Sequence, residues 1–378
     1  MVGGADPYDD INCRHSVVTK PGGGTMEPTE DTKIDQKDVV DSNDPRVVIW
    51  DIIRSQWRFS ALYAFVDLDL AGWFGCESLS VRQLAERCGA DSPALARLLR
   101  TAAGLGLVRS VASENGERVY ALTPAGNSLR DDVRGSMRSI AVLQGAPDFL
   151  MAMGSLADTV RNGHSGFAQR FDSFYGYLES HPETRRHFDI FMSSRSLSIA
   201  EAVAAQYDFS GITTIADIGG GIGRILATIL QANSRMRGIL LDLEPVIAKA
   251  PEFLSAQNVA DRCELVAGSF FRPVPKAEAH LLSNIIHNWD DEHALCILHN
   301  VLEAMPKNGR VLLLDMLLPE DDRPHLGKEM DMRLLALYDG GRERGRQEYL
   351  SLLVKAGLRV NQVIELPYVV SLIEAFPA

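Results

Sequence analysis

The sequence predicts an α/β fold: a mainly parallel sheet in the C-terminal half, preceded by a smaller, mostly helical domain in winged-helix order. Three observations carry this. Residues 212–378 alternate apolar strand-like runs with helix-length segments, and a parallel sheet needs such crossovers. A Gly-rich turn at 219–223 leads from the first of these strands into a helix, as in open sheets that bind a ligand at their carboxyl edge. Upstream, residues 45–130 read as helix, turn, helix and hairpin.

Residues 1–44 precede any periodic pattern. They hold ten acidic and four basic residues with recurrent Gly and Pro, a composition that cannot bury a core, so this stretch is expected to be a disordered acidic tail. Residues 45–136 form the first predicted domain. Val48, Ile52, Trp57, Ala61, Phe65 and Leu68 recur at helical spacing and give an amphipathic helix. Ser80, followed by Gln83, is the N-cap and third residue of a capping box, and the helix it opens should end near Gly89. Ser92-Pro93 starts another, with Leu95, Leu98, Leu99 and Ala102 as its buried stripe. Leu107-Val108 and residues 119–122 flank the turn-rich Ser113-Glu114-Asn115-Gly116, the pattern of a hairpin. A winged helix raises the question of DNA. Between Ser92 and Gly106 only Arg97 and Arg100 are basic, too few to read a groove and contact phosphates, so a dimerisation module is the expected role.

Residues 137–198 read as a helical connector rich in Phe and Met, including Phe149, Phe167, Phe174, Tyr175, Phe188 and Met192. Most should be helix core, and some should line a pocket for a flat apolar ligand. In the final domain, 199–378, strands are expected at 214–218, 238–242, 263–267, 280–284, 311–315 and 359–365.

Composition narrows the function. Of 378 residues, 46% are hydrophobic and 23% charged, with a net charge of −12. That balance argues against a nucleic-acid partner. No apolar run reaches the roughly 18–20 residues of a membrane span, and the N-terminus lacks a secretory pattern, so a cytoplasmic location is expected. Cys13, Cys76, Cys88, Cys263 and Cys296 show neither paired nor metal-ligand spacing and are expected to be reduced thiols.

Residues 215–223, Ile-Ala-Asp-Ile-Gly-Gly-Gly-Ile-Gly, hold the first chemical signal. Glycines let the backbone approach a ligand where a Cβ would clash. A dinucleotide fingerprint requires G-x-G-x-x-G/A, but its third small position falls here on Arg224 or Ile225. Gly219, Gly221 and Gly223 spell G-x-G-x-G instead, two residues after Asp217. A carboxylate so close favours a cationic or neutral ligand over a pyrophosphate. S-adenosylmethionine carries a sulfonium, an ammonium and no phosphate. Asp242, at the end of the second strand and roughly 20 residues on, is placed to accept hydrogen bonds from ribose hydroxyls.

On these motifs the chain resembles the small-molecule O-methyltransferases of plants (caffeate and flavonoid type) and of bacterial polyketide and antibiotic pathways. The resemblance runs from about residue 45 to the C-terminus. It rests on the glycine motif, Asp242-Leu243, Gly268-Ser269-Phe270-Phe271, His287-Asn288-Trp289-Asp290-Asp291-Glu292-His293 and Gly340-Gly341-Arg342-Glu343-Arg344. It implies a Rossmann-like class I methyltransferase domain with an N-terminal winged-helix dimerisation domain. It also implies a homodimer, S-adenosylmethionine as cofactor, no metal, and an acceptor held between the domains. His287 takes the general base's place, and Asp315 and Glu343 occupy the two acidic places that orient it. The cofactor set is Asp217, Gly219, Gly221, Asp242, Ser269, Phe270 and Ser283; acceptor contacts are expected from Phe174, Met192, Asn288 and Trp289. The chain departs from the family where Ser269 replaces a frequent Asp, Asn288 the commoner Asp, and Asp315 the Glu of plant members.

The chemistry agrees with that placement. A phenol, with a pKa of about 10, is a poor nucleophile at neutral pH until its proton leaves, and a histidine near 6.5 can accept that proton. His287 follows the apolar run 281–286, at the sheet's ligand-binding edge. The expected activity is methyl transfer to a hydroxyl of a small aromatic secondary metabolite. Three alternatives stay open: use of the cofactor without methyl transfer (hydroxylation, decarboxylation or ring rearrangement), N-methylation, and a winged-helix regulator. Retention of His287 favours transfer over the first.

Overall fold

The computed structural model describes residues 44–112, 118–367 and 369–378. The acidic tail up to residue 43 and the turn at 113–117 lie outside the described residues. The first helix spans Pro45–Asp67. Val48, Ile49, Ile52, Ile53 and Trp57 on it are exposed, and its buried residues are Phe65 and Val66. Leu62 and Tyr63 pack against the N-terminal core.

The winged-helix order is present. Helix Val81–Cys88 starts with the expected capping box between Ser80 and Gln83 and ends at a left-handed Gly89. Helix Ser92–Gly104 follows, with the Asp91 side chain as its N-cap and Leu95, Leu99 and Ala102 buried. Strands β1 (Leu79–Ser80), β2 (Val108–Ala112) and β3 (Arg118–Leu122) form an antiparallel sheet in the order β1-β3-β2.

The connector is a run of short helices ending in the long helix Pro182–Gln206, which continues past residue 198, where the sequence suggested a boundary. Phe149, Phe167, Phe174 and Tyr177 are buried together with Ala336 and Leu337 from helix Leu326–Leu337. The Phe149 and Phe167 rings lie 5.5 Å apart, within the range where aromatic pairs add to simple burial.

The C-terminal sheet contains β4 (Thr214–Ile218), β5 (Arg237–Asp242), β6 (Cys263–Ala267), β7 (Ala279–Ser283), β8 (Arg310–Leu318), β10 (Leu358–Glu365) and β11 (Val370–Pro377). Their order is β10-β11-β8-β7-β4-β5-β6, and β9 (Arg344–Gly345) adds beside the end of β8. Pairs among β4–β8 are parallel; β11 runs antiparallel to both neighbours. Alternate residues feed two cores. Leu312 and Leu314 of β8 face a layer with Leu226, Ile229 and Val203, while Val311 and Leu313 face Ile297, Leu298 and Leu353. Burial on both faces explains the continuous apolar runs that made these strands readable. Strand β7 stops at Ser283 rather than at 284, because Asn284 turns into the left-handed region with φ 54°. Strand β11 went unread: it carries Glu374 and ends in Pro377, and it returns from β10 by a hairpin where a crossover helix was the pattern.

A carboxylate is sealed at the end of β4. Asp217 is 1% exposed, and a Cβ on Gly220 would stand 2.4 Å from its Cγ, so the side chain is folded beneath the glycine turn rather than presented outward from it. Burial, reinforced by the charge of Asp242, pushes its pKa from 3.8 up to about 7. With the folded value raised, its favourable contribution is present below the unfolded value and is lost as pH rises through about 7. Asp217→Asn keeps the shape and removes the titration. Measured by denaturant unfolding without cofactor, the variant should gain stability relative to the parent as pH rises from about 4 to about 7, by up to about 1.4 kcal/mol per pH unit, and level off above. A difference that does not vary with pH would show that Asp217 does not titrate in this way.

Candidate active site

Every candidate cofactor residue lies at or just beyond the carboxyl end of a parallel strand, where the strand ends and helix starts leave a crevice. Gly219, Gly221 and Gly223 have φ values of 70°, 65° and 85°, a region costly for residues with a Cβ. Two of them face different surroundings. A Cβ at Gly219 would stand 2.6 Å from Ile285 Cδ1, whereas one at Gly221 would meet no atom within 4 Å. Gly219 is thus fixed by packing, and Gly221 presents bare backbone outward. Its N–H donates to Asp242 Oδ2 at 2.8 Å, and the Leu243 N–H donates to Asp242 Oδ1 at 2.7 Å. Burial raises the pKa of Asp242 against the opposing effect of these two bonds.

The loop after β6 packs against this turn: Phe270 Cε1 lies 3.4 Å from where a Gly219 Cβ would be. Ser269 Oγ accepts from the Phe271 N–H at 3.3 Å, and Ser283 Oγ accepts from Asn284 Nδ2 at 3.0 Å. Ser269 therefore accepts a hydrogen bond within its own turn.

The three candidate catalytic groups come together from separate elements. His287 sits in a short 3-10 turn, Ile286–Asn288, and is 5% exposed. Its Nδ1 lies 3.0 Å from Glu343 Oε1 and 3.8 Å from Asp315 Oδ1. Both carboxylates are thus on one side of the ring, and Nε2 is the nitrogen left for another partner. Asp315 lies on β8 at 0% exposure, and Tyr349 Oη donates to its Oδ2 at 2.8 Å. Burial pushes the Asp315 pKa up to about 6, with Glu343 adding to the rise and His287 opposing it. Glu343 is held in turn from behind, its N–H donating to Asp331 Oδ1 at 2.8 Å.

A buried arginine fixes the turn that carries the histidine. Arg344, 0% exposed, donates from Nη1 to the Ile286 carbonyl at 3.1 Å and from Nη2 to the Trp289 carbonyl at 2.8 Å. Its Nε and Nη2 also reach Asp291 Oδ1, at 3.1 and 2.8 Å. The Arg342 N–H adds a bond to the His287 carbonyl at 2.8 Å. Residues 342–344 therefore brace the His287 turn through its backbone and its ring together. His293, on the helix Asp291–Ala304, pairs with the N-cap Asp290 at 2.8 Å.

The candidate acceptor residues divide. Phe174 is 2% exposed and packs its ring 4.9 Å from that of Tyr338. Asn288 Nδ2 donates to the Tyr175 hydroxyl at 3.3 Å and to the Asn284 carbonyl at 3.0 Å, so Phe174 and Asn288 belong to one neighbourhood. Met192 is half-buried on the long helix. Trp289 joins a different group, edge-on to Phe271 at 4.7 Å and near His293. Sequence reasoning missed Arg344, Tyr349, Tyr338 and Asn284. A left-handed Asn after an apolar strand is a recognisable signal; a buried Arg inside a charged Arg-Glu-Arg run looks on sequence like a solvated cluster.

Comparison with known proteins places this geometry. Residues 50–132 match the model of an O-methyltransferase dimerisation domain, and residues 153–359 that of an O-methyltransferase domain. The chain is 33% identical over 332 residues to phenazine O-methyltransferase PhzM of Lysobacter antibioticus, covering 87% of this chain and 96% of that protein. It is 34% identical to the 8-amino-8-demethylriboflavin N,N-dimethyltransferase of Streptomyces davaonensis, over 79% of this chain and 86% of that one. Among solved structures, NcsB1 of neocarzinostatin biosynthesis, an O-methyltransferase in complex with S-adenosylmethionine and 2-hydroxy-5-methyl naphthoic acid, superposes with a TM-score of 0.72 at 31% identity, covering 84% of this chain and 95% of that one. With both domains matched in order and the glycine turn at the sheet edge, the chain belongs to the O-methyltransferase family and is an S-adenosylmethionine-dependent O-methyltransferase of the secondary-metabolite type.

Proposed function

We propose that the chain methylates a hydroxyl group of a small aromatic acceptor, with His287 as general base and Glu343 and Asp315 as the carboxylates that orient it. The observation that carries this reading is the buried Nδ1 contact to Glu343 at 3.0 Å, which leaves Nε2 for an acceptor proton. S-adenosylmethionine, when bound, supplies an electrophilic methyl carbon on a sulfonium. The crevice fits such a ligand: Gly221 presents open backbone, and the half-buried Asp242 offers acceptor oxygens for hydroxyls. Gly219, Phe270, Ser269 and Ser283 form the walls around it, and Asp217 acts from beneath the turn.

His287 accepts the hydroxyl proton on Nε2 as the oxygen becomes nucleophilic, and the resulting imidazolium is stabilised through Nδ1–H by Glu343, with Asp315 close by. This is the orienting role a carboxylate plays beside any histidine base. Phe174, Met192 and Asn288 lie on the acceptor side. Trp289 supports the turn from the opposite side. Cofactor use without transfer of the methyl, and N-methylation, which a relative's name attributes to that relative, are the other outcomes. An amine acceptor that is already neutral needs no base, and therefore His287 favours oxygen.

The apolar residues early in the first helix fit a homodimer. Val48 and Ile49 are 63% and 58% exposed, immediately before the segment that matches the dimerisation domain.

Three measurements test these assignments. His287→Ala should cut turnover by about 10²–10⁴-fold while changing S-adenosylmethionine affinity little, and the loss should shrink for acceptors of lower pKa. Label from the methyl group should appear on product oxygen; full activity in the variant, or an unlabelled product, overturns the assignment. Gly221→Val, which combines a strained φ with bulk facing the crevice, should weaken cofactor binding in calorimetry by at least tenfold, about 1.4 kcal/mol. Sedimentation at micromolar concentration should show a dimer, and Val48→Glu with Ile49→Glu should yield a folded monomer; a dimer unaffected by both charges places the interface elsewhere.

A further inference from the structure

The backbone of the glycine turn is all that stands between Asp217 and the crevice. Leu281, the partner of Asp217 in register on β7, belongs to the core layer that holds Leu226, Leu240 and Leu254. Asp217 on β4 therefore turns its carboxyl into that layer. Gly220 lies over it: a Cβ there would stand 2.4 Å from Asp217 Cγ and 2.5 Å from Oδ2. Gly220 and Gly221 are half-buried, whereas Asp217 is sealed. A wall without side chains keeps solvent from the carboxyl and leaves its charge close to whatever binds above the turn.

Neither oxygen of that carboxyl has a hydrogen-bond partner among the described residues. An ionised carboxylate in such a place is costly unless a cation faces it. The surrounding elements supply none. Asp242, at the end of β5, bears on it with the same sign. Cys263 of β6 is a thiol that burial, and then Asp217 itself, holds in its neutral form. Arg224, which opens the helix Arg224–Ala232, turns away: its Nε donates to Ser193 Oγ at 2.7 Å and its guanidinium lies 4.8 Å from the centre of the Phe253 ring. His280 of β7 alternates with Leu281 and so faces the opposite layer, where its Nε2 meets the Pro275 carbonyl. The Leu226 N–H favours the charged form without completing a hydrogen bond. The counter-charge this carboxyl lacks is one that a cationic ligand brings.

S-adenosylmethionine and S-adenosylhomocysteine differ by one methyl group and by the positive charge it confers on sulfur. We propose that Asp217 is the group by which the crevice distinguishes them, ionised beneath the cationic cofactor and protonated beneath the product that has lost that charge. This rests on the reading of the glycine-turn crevice as the cofactor site. Asp217 releases its proton to solution as the cofactor binds and takes one back when the product replaces it. Over a turnover these two protons cancel, and the one net proton released is the acceptor's own. Product is thereby held less firmly than the cofactor that must displace it, without any side chain touching either sulfur.

The test is calorimetry of both ligands on the full chain and on Asp217→Asn, without acceptor, in buffers of different ionisation enthalpy. The ligand-free carboxyl titrates at about 7, and a cation above it lowers that value, so the ionised form that prefers the cofactor gains ground as pH rises. In the parent chain the preference for S-adenosylmethionine over S-adenosylhomocysteine should therefore grow about tenfold from about pH 5.5 to about pH 7.5, a range in which the α-amino group of each ligand stays mostly charged. Near pH 6.5 the cofactor should release more protons on binding than the product does. In Asp217→Asn the preference should be smaller and independent of pH, and the excess proton release should vanish. If that variant does not fold, the proton counts for the two ligands on the parent chain decide alone. A preference that does not vary with pH in the parent, or equal proton release by both ligands, overturns the proposal. So does a pH dependence that survives in Asp217→Asn, which would assign it to Asp242 or His287. Equal weakening of both ligands in the variant overturns it as well, because Asp217 then only shapes the turn. Failure of the parent chain to bind either ligand overturns the cofactor reading beneath it.

Discussion

Glu343 and Asp315 are almost wholly removed from solvent, and both border one imidazole nitrogen. Carboxylates in that position are costly unless a positive or hydrogen-bonding group faces them. The pair is tolerable because His287 stands against it and Tyr349 donates to Asp315. Much of the C-terminal domain can be understood as the scaffold for this contact. Strand β8 delivers Asp315 from the middle of the sheet, the turn after β7 delivers His287, and the segment entering β9 delivers Glu343. Arg344 then ties the second of these to the third through the carbonyls of Ile286 and Trp289. A displaced turn would lose the ring contact and the backbone bonds together, so the geometry is cooperative rather than a sum of independent contacts.

The cofactor crevice obeys a different constraint. There the backbone is the functional surface, and side chains are kept out of it. Gly219 cannot gain a Cβ because Ile285 is already there, whereas a Cβ at Gly221 would meet no atom within 4 Å. Asp242 accepts two backbone N–H bonds and thereby locks the glycine turn to the end of β5. Asp217, which the sequence suggested as a direct contact for a cationic ligand, lies beneath the turn; any influence it has on a ligand acts through the field of a buried carboxyl.

How far the sequence revealed these features follows from which physical signals are local. Strands β4, β5 and β8 were legible because burial on both faces leaves apolar runs, and the Ser80–Gln83 capping box because it is four residues long. The glycine turn and Asp242 were legible for the same reason. Strand β11 was not, since its identity depends on pairing with β8 and β10, and its Glu374 is accommodated by Tyr207, Arg310 and Asn361 from three other segments. Arg344 was invisible because a buried guanidinium and a solvated one have the same sequence. The separation of Trp289 from Phe174 is also a three-dimensional fact: adjacent residues Asn288 and Trp289 point to opposite neighbours across one turn.

The fixed and the variable parts of the site come from different layers. The His287 turn, the two carboxylates and the glycine turn all hang from the sheet, whose register is pinned on both sides by the two cores. The aromatic residues proposed to face the acceptor hang from the connector and from helix Leu326–Leu337, which share a core of their own. A change in that aromatic core can rearrange them without moving His287 against Glu343, because no strand residue belongs to it. Substrate choice can therefore diverge among relatives that keep one chemistry.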